Sequence, residues 1–205
     1  MDYPVFTIPY LGGSMLIAIV AIVHVYIAHF AVGAGIFNAL TETFAIKNES
    51  TALKQFLRDN SRFIVLLPFI VGAISGVGVW FSIALVSPET VNILVHLFVW
   101  AWAIEWTFIL IQIVSGYIYL YSWDRFSHRV HCMVGWIYAI SSLLSLVMLN
   151  GILTFMLTPG DALDSSVSPM QFDFWSGLFN PSYWSQLLIR GIGALTLAAM
   201  FAMFL

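Results

Sequence analysis

Charge is scarce in this chain of 205 residues: Lys, Arg, Asp and Glu make up 8% of it, against 61% hydrophobic and 16% aromatic side chains. A soluble globular domain carries about 25% charged residues, so this chain has too few to cover a surface that faces water. Cysteine is nearly absent as well. Cys132 stands alone, which excludes an internal disulfide and any cysteine-ligated zinc or iron–sulfur site within one chain. There is no phosphate-cradling glycine loop, no zinc-hydrolase helix and no basic face, so nucleic acid is not an expected partner. The opening "MDYPVFTIPYLGGS" has neither the basic start nor the short apolar core of a secretory signal, and reads as mature sequence.

Long apolar runs are what the chain does have. Five of them, roughly 14–38, 63–87, 91–121, 130–157 and 184–205, reach the ~20 residues needed to cross a hydrocarbon core. The expected architecture is all-α: an integral membrane bundle of five transmembrane helices, the first four antiparallel, in one membrane domain over 1–205. The lipid bilayer is its first partner. The last run ends in "LAAMFAMFL" with no charged or aromatic anchor, so the chain is expected to continue into, or pack on, further helices of a larger assembly.

The few basic residues are unevenly placed. Lys47, Lys54, Arg58 and Arg62 lie between the first and second runs, Arg125 and Arg129 between the third and fourth, and the connections after the second and fourth hold neither Lys nor Arg. The positive-inside rule then puts the N-terminus outside and the basic connections in the cytoplasm of a multi-pass inner (cytoplasmic) membrane protein. In "NESTALKQFLRDNSRF", Leu53, Phe56 and Leu57 at helical spacing read as a short interfacial helix. The external segment 158–182 carries Asp161, Asp164 and Asp173 with Phe172, Phe174, Trp175 and Phe179, aromatics expected to rest at the headgroup level.

Polar side chains inside the runs cost free energy unless partnered, so each is a functional candidate. His24 lies about 15 Å along the first helix, near the bilayer midplane; a neutral imidazole there ligates a haem iron or hydrogen-bonds a carbonyl. His29 is five residues on, about 140° around the helix, so the two face different neighbours and cannot chelate one metal from one face. Glu105, in "VWAWAIEWTF", must take up a proton or find a cation, which suits a proton relay or a metal-site carboxylate. Gln112, seven residues further, shares its face and extends a polar stripe towards the cytoplasm. His96 and Arg190 fall in the outer leaflet, where Arg190 either holds haem propionates or a quinone headgroup or snorkels to the interface. "WDRFSHRVHCM" reads as a solvated ion-pair turn around Asp124, Arg125, His128, Arg129 and His131. Ser141, Ser142, Ser145, Asn150 and Gly151, and the "GAISGVG" segment, read as close-packing and interhelical hydrogen-bonding positions.

The order of these residues resembles the N-terminal half of subunit I of cytochrome bd quinol oxidases, from about residue 14 to the end. His24 precedes Glu42, in "ALTET", by eighteen residues, as the family's first-helix haem-ligand histidine precedes its own glutamate. "AIE" at 103–105, "WDRF" at 123–126 with His131 and Cys132, Asn150-Gly151 and "NPSYW" at 180–184 follow in register. The resemblance implies that His24 is an axial haem ligand, with Glu105 at the same site in iron ligation or proton delivery. Metal candidates are thus His24 and Glu105; His29, His96 and Arg190 are cofactor candidates for a second haem or a quinone. The family's low-spin haem histidine falls here on Ile189, its second third-helix glutamate on Ile113, and its quinol-binding loop beyond Leu205.

The implied function is a haem-b-binding membrane subunit of a quinol-linked electron-transfer complex. As an oxygen-reducing quinol oxidase it would carry haem d besides haem b. As a non-oxidase subunit it would pass electrons between quinone or quinol and another redox protein, such as a cytochrome c or an iron–sulfur subunit. A proton-coupled transporter or scaffold would use the same Glu105 without haem. In each case the partners include other membrane subunits, those of a respiratory complex in the first two.

Overall fold

The computed structural model describes residues 5–164 and 171–204. Seven helices follow one another: α1 (Gly13–Lys47), α2 (Thr51–Val86), α3 (Pro88–Leu97), α4 (Val99–Tyr121), α5 (His128–Phe155), α6 (Phe174–Leu178) and α7 (Tyr183–Phe204). Before α6, β1 (Leu163–Asp164) pairs antiparallel with β2 (Gln171–Phe172). Helices α1, α2, α4, α5 and α7 are long and apolar enough to cross a membrane, so the all-helical, five-span expectation holds. Each span satisfies its own backbone hydrogen bonds, which hydrocarbon would otherwise leave unpaired.

Small residues set the packing, as expected where lipid offers no hydrophobic drive between helices. Helix α1 is central, lying against α2, α5 and α7, while α4 lies along α5. At Gly33 an added Cβ would sit 1.9 Å from the Ala194 carbonyl oxygen, so the α1 and α7 backbones touch there. One turn earlier on α1, the buried Phe30 ring packs on Phe63 of α2 and Phe201 of α7. At the other end of the bundle Phe98, Phe155 and Phe172 form edge-to-face pairs, with Leu178 resting on Gly151.

Two expectations change. The interfacial helix does not exist as a separate element: α2 runs unbroken from its Ser50 N-cap, whose hydroxyl accepts from the Leu53 N–H. No proline or glycine interrupts the chain before Pro68, and Leu57 is fully buried against the bundle instead of lying on its surface. The third run, in contrast, is broken. Pro88 starts α3, and at Phe98 the backbone leaves the helix (φ −113°, ψ 27°) because the ring turns into the core, where it is fully buried. The Trp102 indole donates to the Leu94 carbonyl across the break. Phe172 and Phe174 pack against Phe98, whereas Trp175 and Phe179 are exposed. Asp173 caps α6; the Ser176 hydroxyl and the Ser176 and Trp175 N–H groups donate to it and hold its carboxyl below the usual range.

Candidate functional site

His24 faces α2 at the glycine-rich segment. A Cβ added at Gly76 would lie 3.0 Å from its ring, so the ring sits against the α2 backbone. Its Nδ1 is 3.1 Å from the Ser75 hydroxyl, and that hydroxyl is 2.6 Å from the Val71 carbonyl oxygen. A carbonyl only accepts, so the Ser75 proton is committed to Val71 and the Ser75 oxygen accepts Nδ1–H from His24. The ring is thereby held as the tautomer with a bare lone pair on Nε2, the form a metal takes.

Glu105 is buried on α4 and faces α5, where Ser145 donates to its Oε1 at 3.1 Å. Ser145, read above as a packing and interhelical hydrogen-bonding position, is its hydrogen-bond partner. Among the described residues no basic group pairs with Glu105 and no three His, Cys, Asp or Glu side chains converge. His24 and Glu105 lie at matching heights without touching: Trp80, one turn past Gly76, packs on Trp102, one turn before Glu105, at 5.0 Å.

The other candidates divide. His29 and Arg190, from α1 and α7, come together on one open groove of about 440 Å³ walled by Ala21, Val25, Leu153 and Leu197. His29 Nδ1 donates to the Val25 carbonyl at 2.7 Å, leaving Nε2 for the groove, and among the described residues the buried Arg190 Nε has no hydrogen-bond partner. His24 and His29 do face different neighbours, as their spacing required. His96 is exposed on α3; among the described residues it bonds only the Asn92 carbonyl and joins none of these. Ile189 is 64% exposed on the outer side of α7.

The solvated-turn reading fails for His131. Asp124 does form an exposed pair with Arg58 of α2, at 2.5 and 2.8 Å. His131, however, is 2% exposed, its Nδ1 lying 2.7 Å from Glu42 Oε1 and its Nε2 2.9 Å from the Tyr119 carbonyl. Glu42 and His131 entered the sequence reading as family landmarks, not as site residues. Eighty-nine residues separate them, and no local spacing announces the pairing.

A family model described as cytochrome bd terminal oxidase subunit I matches residues 14–204. Among solved structures, a bd oxidase from Geobacillus thermodenitrificans superposes with a TM-score of 0.81 at 20% identity, covering 89% of this chain and 42% of that one. That likeness shows the fold, over less than half of the solved chain's length. No curated protein matches.

Proposed function

The chain belongs to the cytochrome bd terminal oxidase subunit I family, and from that premise we propose that it is a haem-bearing membrane subunit of a bd-like, quinol-linked electron-transfer complex. One observation carries the reading: the Ser75–His24 hydrogen bond, which leaves His24 Nε2 as a free metal donor inside the bundle. The donor set fits a haem, whose iron needs one or two axial ligands and not a cluster of protein side chains. When bound, the haem supplies a one-electron couple between quinol and the acceptor. His24 would hold it through Nε2, with Ser75 fixing the ring. Glu105, buried with a single hydroxyl donor, holds or passes a proton at its free oxygen, Oε2. The groove of His29 and Arg190 offers a neutral imidazole nitrogen and a guanidinium to a propionate or a quinone headgroup.

The complex sits in the inner membrane with the basic end of the bundle, at Lys47, Arg58, Arg62, Arg125 and Arg129, in the cytoplasm. Other membrane subunits and quinol complete it. Oxygen reduction is the first reading, with haem b and haem d. The exposed Ile189, where the family resemblance places a haem-ligand histidine, favours a second: electron transfer to another redox protein, such as a cytochrome c or iron–sulfur subunit, with haem b alone. The optical spectrum of the purified protein separates them. Haem b with a chlorin supports the oxidase, haem b alone supports the second reading, and a colourless protein favours a transporter or scaffold and overturns both.

A further inference from the structure

Between α2 and the turn that joins α4 to α5, an open groove of about 410 Å³ lies at the basic end of the bundle. Three arginines line it: Arg58 and Arg62, one turn apart on α2, and Arg125 from the turn. Arg58 is engaged, since both of its terminal nitrogens donate to Asp124. Arg62 and Arg125 are exposed, and among the described residues neither makes a hydrogen bond or an ion pair. Both carboxylates of the lining already have donors, Asp124 from Arg58 and Asp59 from the Gln55 amide at 2.8 Å. Trp123, which also lines the groove, carries an indole N–H with no acceptor among the described residues. The lining thus has unused donors and unused positive charge.

The groove sits where the hydrocarbon ends. Helix α2 has no charged side chain from Phe63 to Val86, about 36 Å of rise, and α4 has none from Trp106 to Tyr121. Charge begins at Arg62 on one wall and at Asp124 on the other, which sets both at the headgroup level of a core about 30 Å thick. Towards the bilayer interior, Tyr121 of the lining stacks on Tyr117, one turn further into α4, at 6.0 Å. Tyr117 in turn meets Phe69 of α2 at 6.1 Å. Both tyrosines are exposed, so their rings form an apolar track that leads from the arginines into the membrane.

Three guanidiniums in one groove repel one another, and an anion placed between them relieves that repulsion. The planar fork of arginine matches phosphate oxygens two at a time, and basic pockets between transmembrane helices hold anionic phospholipid headgroups. A zwitterionic lipid gains less, because its ammonium finds both carboxylates already taken. A soluble phosphate ion gains the arginines but not the track of tyrosine rings.

We propose that this groove binds the phosphodiester of an anionic phospholipid, with Arg62 and Arg125 donating to its oxygens and an acyl chain lying along Tyr121 and Tyr117. The bound phosphate joins α2 to the α4–α5 turn beside the exposed Arg58–Asp124 pair, which already links them. It therefore fastens the basic end of the bundle. The site is independent of the haem reading.

The test counts the lipids held by the full protein with its native partners. Delipidated in detergent, it is titrated with dioleoyl phosphatidylglycerol or dioleoyl phosphatidylcholine and read by native mass spectrometry. The wild type should hold one phosphatidylglycerol in preference to phosphatidylcholine. Arg62→Gln and Arg125→Gln should each weaken that binding about fivefold, and the double variant about 25-fold, as the loss of one guanidinium beside an anionic headgroup implies. Arg129→Gln removes the same charge from the same end but outside the groove, and should change the affinity by less than about twofold. Because Arg62 and Arg125 have no protein partner to lose, the thermal midpoints of their variants without lipid should match the wild type's. The rise in midpoint that phosphatidylglycerol gives the wild type should be absent from the double variant. Equal retention of the two lipids, an equal loss in Arg129→Gln, or displacement of phosphatidylglycerol by millimolar inorganic phosphate would overturn the site.

Discussion

Ser75→Ala probes the tautomer argument without touching a ligand. The substitution removes the oxygen that accepts His24 Nδ1–H at 3.1 Å. It should barely affect the fold, because the Val71 carbonyl that loses the Ser75 hydroxyl lies within α2 and keeps its helical partner. The imidazole is then free to rotate and to place its hydrogen on either nitrogen. Loss of an outer hydrogen bond to a metal-binding histidine costs about 10–100-fold in metal affinity, or about 1.4–2.7 kcal/mol. The assay is haem retention: purified protein is challenged with excess apo-acceptor and the haem-to-protein ratio followed optically. Gly76→Ala should lower retention by another route, since its Cβ would press on the ring from 3.0 Å. Ser82→Ala, which removes a buried α2 hydroxyl that donates to the Val79 carbonyl of its own helix, should leave retention unchanged. Equal retention in wild type and Ser75→Ala would refute the claim that Ser75 prepares Nε2.

Gly33→Ala forces a Cβ into the Ala194 carbonyl, so α7 should separate from α1 at a cost of about 1–3 kcal/mol; a lower thermal midpoint would show it. Asp173 makes the α6 cap pH-dependent: its lowered carboxyl stabilises the fold above the ordinary aspartate range, and that contribution is lost as pH falls below it, a change read in Trp175 fluorescence and absent from Asp173→Asn. Orientation is tested by a reporter active only in the cytoplasm, which should work when fused near Lys54 or Arg129 and fail near Asp164.

Hydropathy alone made the five spans legible, and His24 and Glu105 stood out because ionisable side chains are rare in such runs. The polar stripe from Glu105 to Gln112 was also visible, since both lie on one helix. Its opposite wall was visible only in part: Ser145 read as an interhelical hydrogen-bonding position, but its pairing with Glu105, like the place of Tyr138, follows only once α5 is set antiparallel to α4, at a register that backbone pattern does not announce. The same holds for Glu42 with His131 and for His29 with Arg190, pairs joined across helices by tertiary packing. The break at Phe98 was hidden because an apolar run reads alike whether or not one ring turns inward.

The central claim is that His24 Nε2 holds a haem iron, and the reduced-minus-oxidised spectrum of His24→Ala in lipid tests it most directly. The account predicts that one haem signal present in the wild type disappears while the helical circular dichroism persists, because each span keeps its own backbone hydrogen bonds. A folded His24→Ala protein with the full wild-type haem spectrum would contradict it.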